Sequence, residues 1–149
     1  MSTTKNAIHL GGEFRREEAI ANVAITPGML CEFMSTGKVK PHATAGGRGL
    51  KLFAVEDALQ GHAIEDDYAA AALVSMNDYV SGAKVQGLLA AGVAYVIGDE
   101  VVSAGDGTLQ KASSLASAGL NLQTIGYCSE AVDLSASGAV DTLGGIFLA

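Results

Sequence analysis

The sequence predicts an all-β fold, a compact barrel or sandwich with two related hairpin units and an extended N-terminal arm. Two observations carry that expectation. The phrase from Pro27 to Lys40 is repeated from Ile97 to Gln110, seventy positions on, with glycines nine residues apart in both copies (Gly28 and Gly37, then Gly98 and Gly107). Each copy reads as a turn, a short apolar strand, a second turn at glycine and a short alternating strand, the pattern of a β-hairpin. The rest of the chain is a succession of short apolar runs separated by Gly, Asn, Asp and Ser, which favours a barrel or sandwich over a parallel α/β sheet.

Residues 1–25 are expected to form the arm and residues 26–149 a single barrel-like domain. The arm begins polar and small, with Gly11-Gly12 at its middle. Arg15-Arg16-Glu17-Glu18 could open a short helix, but Thr26-Pro27-Gly28 is a firm turn signal, so an extended segment becoming a strand near Ala21–Ile25 is favoured. Strands are then expected at Met29–Met34, Lys38–Pro41, Leu50–Val55, Leu73–Met76, Asp78–Val80 and Lys84–Leu89. Further ones are expected at Glu100–Val102, Thr108–Lys111, Gln123–Cys128, Ala131–Leu134 and Gly144–Leu148. Glu65–Ala72 has helix propensity in its alanines but could equally be a loop, and Ser113–Ala118 reads as a helical turn or a loop. Leu52–Glu56 resembles Thr124–Cys128 with two residues inserted between copies, so the repeat extends past the hairpins into two β-units around one core.

A chain of 149 residues is long enough to bury a core. Aromatic residues are only 5% and Trp is absent, so packing rests on small aliphatic contacts and on burial against other subunits. The net charge of -7 is uneven: residues 1–51 hold seven of the nine Lys/Arg and four of the sixteen acids. A strongly acidic body argues against nucleic-acid binding, which needs a basic footprint, while a basic front end suits docking on an acidic surface. No run approaches the ~18–20 apolar residues that span a bilayer, and no signal pattern opens the chain, so a soluble protein without membrane partners is expected. Cys31 and Cys128 lie in apolar runs and read as small buried hydrophobes.

No motif carries catalysis, a metal or a cofactor. Ala45-Gly46-Gly47-Arg48-Gly49 lacks the following helix and Lys-Ser/Thr of a phosphate loop, so it reads as a flexible hairpin loop. His9, His42 and His62 are too widely spaced to suggest a ligand set. Glu65-Asp66-Asp67 lacks the alternation of a calcium loop and reads as a solvated turn. The Gly98-to-Leu109 phrase is similar to one used by biotinyl and lipoyl carrier domains, but neither Lys84 nor Lys111 sits in the tight hairpin that such a cofactor requires.

Tyr68-Ala-Ala-Ala-Ala-Leu-Val, Val85-Gln-Gly-Leu-Leu-Ala-Ala-Gly, Val96-Ile-Gly-Asp-Glu-Val-Val and Ile125-Gly-Tyr-Cys-Ser-Glu-Ala-Val follow one another in an order that resembles small capsid decoration (cement) proteins of tailed bacteriophages. The resemblance covers residues 25–148 and rests on structural motifs. It implies a β-tulip-like, non-enzymatic protein of the virion. Such a protein is assembled in the host cytoplasm, binds the outer capsid surface as a homotrimer and bridges major capsid protein subunits. Under that expectation the arm docks on the capsid through Phe14, Arg15 and Arg16, since an aromatic beside arginines is a frequent interface anchor. The alternative is a ligand- or glycan-binding barrel on a virion tail or spike, for which Tyr68, Tyr79, Tyr95 and Tyr127 could supply a platform, although alternation suggests that several of them are in the core.

Overall fold

The computed structural model describes residues 7–115 and 122–149. The described strands are β1 (His9–Gly11), β2 (Phe14–Ile20), β3 (Cys31–Phe33), β4 (Val39–Pro41), β5 (Leu52–Ala54), β6 (Leu73–Tyr79), β7 (Lys84–Leu89), β8 (Ala94–Tyr95), β9 (Glu100–Ser103), β10 (Leu109–Lys111), β11 (Gly126–Cys128), β12 (Val132–Asp133) and β13 (Thr142–Leu148). Among the described residues the only helical turns are short 3-10 segments at Ala58–Gln60 and Ala112–Ser114.

The expected all-β class is the observed one. β7, β10, β9, β11 and β13 pair in that order, and β13 pairs back with β7, closing a five-stranded barrel. The first half of the chain follows the same circuit. β2 pairs with β6, β6 with β5, and β3 with β4. Single bridges complete the ring, a parallel one from Ala21 to Val39 and an antiparallel one from Leu30 to Phe53.

The two circuits match bond for bond. Met34 N–H donates to the Lys38 carbonyl as Ala104 N–H donates to that of Thr108. Cys31 faces Pro41 as Val101 faces Lys111. Asn22 N–H reaches the Val39 carbonyl as Ala90 N–H reaches that of Leu109. Gly28 N–H donates to Ala54 and Gly98 N–H to Cys128, so Ala54 corresponds to Cys128 and the returning strand is displaced by four residues, not the two expected. The four phrase glycines, Gly28, Gly37, Gly98 and Gly107, have φ of 96°, 84°, 90° and 89°. That left-handed region penalises any side chain with a Cβ. The repeat is therefore one of backbone turns, which explains why so few side chains recur.

Each circuit has its own apolar cluster, where two units around one core were expected. Ile25, Cys31, Val39, Leu52, Val74 and Met76 are buried in the first. Val85, Leu89, Val101, Leu109, Ile125 and Ile146 are buried in the second, joined by Leu30, Phe53 and Tyr79 from the first unit. Each such aliphatic side chain contributes about 1.5–3 kcal/mol on burial. Cys31 and Cys128 are free, buried and in different clusters. The units are also stitched through their hairpins: Leu30 N–H donates to the Gly107 carbonyl, and Gly107 N–H to that of His42.

The described part of the expected arm is built into the fold. β2 pairs with β6 along all seven of its residues, from Phe14 opposite Tyr79 to Ile20 opposite Leu73. β1 lies on the edge of β7, and Ile8 beside it is fully buried. The strand expected at Ala21–Ile25 is absent, its residues making only the bridges at Ala21 and Ile25. β6 is continuous where two strands were expected, and Glu65–Ala72 is a set of turns in which Tyr68 bridges Ile25. The glycine loop after β4 is held, with Gly46 N–H bonded to the Ser103 carbonyl. The Ser113–Ala118 run starts in a 3-10 turn, and its remainder from 116 lies outside the described residues.

Candidate functional site

Strand alternation decides where the expected contact residues point. Phe14, Arg16, Glu18 and Ile20 share the outer face of β2 with their partners Tyr79, Asn77, Ser75 and Leu73 on β6. Arg15 and Glu17 point to the opposite face, on which Ala19 enters the first core. The structure therefore does not bring Phe14, Arg15 and Arg16 onto one surface. Arg15 lies at the ring's end, where its Nε is 2.8 Å from Glu17 Oε1 and its Nη2 is 3.2 Å from Asp78 Oδ2. Its side chain is 73% exposed, so these pairs add little stability. The guanidinium stays available to a partner.

Phe14 is exposed at the edge of an aromatic cluster that the sequence did not reveal. Its ring meets His9 edge-on at 4.7 Å and Tyr79 at 5.8 Å, and Tyr79 continues to Phe53. Asn77 Nδ2 donates to the Tyr79 hydroxyl at 3.0 Å, which also lies 3.3 Å from His9 Nδ1. Burial pushes the Tyr79 phenol up to about 12, against a smaller lowering by the Asn77 hydrogen bond. The pairing of β1 with β7 brings His9 to this cluster, a non-local contact with no local sequence signal.

Arg16 stands between two depressions on this face and donates to Ser75 Oγ at 3.2 Å. The larger, about 470 Å³, is bounded by Glu18, Asp57, His62, Tyr68 and Leu73, and the smaller, about 310 Å³, by His9, Phe14, Glu56 and Asn77. Leu59, 90% exposed on the Ala58–Gln60 turn, rims both. The Asn77 Oδ1 atom is buried without a hydrogen-bond partner. Together the face offers exposed apolar groups (Phe14, Ile20, Leu59, Leu73) around charged ones, a surface suited to recognising another macromolecule by shape and charge.

Among the described residues no group of three or more His, Cys, Asp or Glu side chains could hold a metal ion. Asp66 accepts a hydrogen bond from Ala63 N–H, as a turn carboxylate does. His42 and Ser103 form a hydrogen-bonded pair, but both are buried at the seam between the units. As alternation suggested, several of the tyrosines are in the core: Tyr68, Tyr79 and Tyr95 are buried, and of the four only Tyr127 is exposed. No helix among the described residues is long and apolar enough to cross a membrane.

No protein-family model and no curated relative matches the chain. Among solved structures it is similar to the head fiber gp8.5 N base in bacteriophage phi29, with 14% identity, a TM-score of 0.58, and 92% of this chain and 95% of that chain covered. The fold resembles that of this head-fiber base. At this identity the likeness is one of architecture, and because it spans both circuits it includes the tandem arrangement as well as the single barrel.

Proposed function

We propose that the protein is a non-enzymatic structural component of a tailed-phage head, located in the virion on the outer surface of the capsid. The observation that carries this reading is the full-length likeness of its fold to the base of a head fiber. The finer role is that of a decoration or cement protein, which grips the major capsid protein, bridges its subunits and acts as a homotrimer. A protein that binds only the mature shell stabilises it by mass action, and many copies per particle compensate for weak single contacts. The lattice-facing surface is the β2 face with Phe14 and Arg16, with Arg15 at the ring's end beside it. Residues 1–51 are net positive and include Arg15 and Arg16 of β2, which supports docking through this strand. A glycan-binding role draws less support, because three of the four tyrosines are buried.

The test is binding of purified protein to expanded heads stripped of accessory proteins, followed by localisation on the particle. Saturable co-sedimentation, weakened at least tenfold by Arg15→Glu and accompanied by density over the capsid lattice, is expected. Density confined to the tail, or no binding, refutes the reading.

A further inference from the structure

The matching circuits expose one difference. In both units the first strand gives alternate residues to its ladder partner and points the others away. Ala21 N–H bonds to Ala72, and Val80 N–H to Glu13, so odd-numbered residues of β2 face β6, and the N–H and C=O groups of Phe14, Arg16, Glu18 and Ile20 point to the open side. On β7, which corresponds to β2, that side is covered. Gln86 N–H donates to the Ile8 carbonyl, Leu88 N–H to that of Gly28, and β1 runs alongside. On β2 the matching groups of Glu18 and Ile20 meet no such cover among the described residues; the ring is joined there only beyond Ile20, at Ala21 and Asn22.

We propose that this edge pairs with β2 of a second copy of the chain, antiparallel across a two-fold axis, with Arg16 opposite Glu18. The strand Phe14-Arg15-Arg16-Glu17-Glu18-Ala19-Ile20 complements itself in one register. Outward-pointing groups can meet only outward-pointing groups, so even-numbered residues must face even-numbered ones. Placing Arg16 opposite the partner's Glu18 sets Phe14 opposite Ile20, and both pairs occur twice. Shifting by two residues sets Arg16 against Arg16, or Glu18 against Glu18, and like charges directly opposite are destabilising. Among the described residues neither Arg16 nor Glu18 has an ion-pair partner within the chain, so both charges are available. Phe14 and Ile20 are each 40% exposed and supply an apolar contact at either end.

Charges on an edge strand commonly serve to repel other strands. A single sign would do so; alternate opposite signs at the hydrogen-bonding positions select this partner and this register instead. Glu17 falls on the two-fold axis, where the Arg15 that already pairs with it neutralises the approach. Pairing uses the strand's backbone edge and also engages the side chains of Phe14 and Arg16 that face the lattice, so it is measured in the absence of heads, apart from capsid binding.

The measurement is the mass of the full chain in free solution, by sedimentation and light scattering, without heads present. A particle of two chains, or six if trimers are joined in pairs, supports the pairing; one or three chains overturns it. Arg16→Glu alone and Glu18→Arg alone should each halve the mass, and an equimolar mixture of the two variants should restore it. The chain carrying both substitutions should pair again. Unchanged mass in the single variants, or no recovery on mixing, refutes the register. Amide exchange on the unaltered chain is a second readout: Arg16, Glu18 and Ile20 should become protected as concentration rises, and concentration-independent exchange counts against the edge.

Discussion

The Nδ1 atom of His42 and the Oγ atom of Ser103 lie 2.7 Å apart, joining the first hairpin unit to the second through two buried side chains. The other ring nitrogen is 3.0 Å from the Arg48 carbonyl, which can only accept, so Nε2 donates to it. The Ser103 hydroxyl oxygen in turn accepts from Gly105 N–H. Ser103→Ala should leave the buried His42 Nδ1 unpaired at a cost of about 1–3 kcal/mol, with no change of fold. Urea unfolding monitored by circular dichroism would show it; an unchanged midpoint would mean that the pair does not hold the seam.

Gly37 and Gly107 occupy the same place in the repeat with nearly the same φ, but different surroundings. A Cβ at Gly37 meets nothing within 4 Å, whereas at Gly107 it would lie 2.9 Å from Pro41 Cβ and 3.1 Å from Met29 Sδ. Gly37→Ala should cost only the left-handed penalty, about 1–2 kcal/mol. Gly107→Ala adds a steric clash and should cost at least about 1 kcal/mol more. Equal effects in denaturant titrations would contradict the packing described between the hairpins.

Alkaline conditions should destabilise the protein through its buried thiols and phenols. Burial raises the Cys31 thiol from 9.0 to about 12 and the Cys128 thiol from 9.0 to about 11, and it raises Tyr79 and Tyr95 from 10.0 to about 12. Between the unfolded and folded values the unfolded chain has lost protons that the folded chain retains, so stability falls as pH rises. It should be intact below pH 9 and decline between pH 9 and 12. The same burial predicts that a thiol reagent at pH 8 modifies neither cysteine until denaturant is added. Rapid labelling of the native protein would place at least one thiol at the surface.

Deletion of residues 1–20 should abolish folding. It removes β2, the buried Ile8 and the strand that covers β7. The expected result is a collapsed amide proton spectrum. A shortened chain with native dispersion would show that these strands are appended to the body and not part of it.

The hairpin phrases were legible because their information is local: glycine at fixed spacing dictates turns, and turns dictate the hairpins β3–β4 and β9–β10. The expected β7 coincides with the observed strand for the same reason, since Lys84–Leu89 is a bounded apolar run. β2 was not legible. Arg15 to Glu18 are four charged residues in succession, and nothing nearby shows that they pair with a strand almost sixty residues later. Asn77 and Asp78 looked like a break in β6, yet Asn77 is buried against Tyr79 and paired with Phe53. The contact residues were expected as one cluster. Once Phe14, Arg15 and Arg16 are extended, consecutive side chains part to opposite faces. His9 and the 310 Å³ depression beneath it depend on the crossing of β1, which no composition or spacing encodes.

The two circuits share their hydrogen bonds while differing in nearly every side chain, and this separates what each half must do from what it can afford to change. A ring specified by turns tolerates new surfaces, provided that the glycines stay. The second half ladders every seam but β7–β10, which has a single pairing, and covers its first strand. The first half holds two of its five seams with single bridges and leaves an edge open. One copy of an architecture can thus serve as anchor while its twin is free to become a connector.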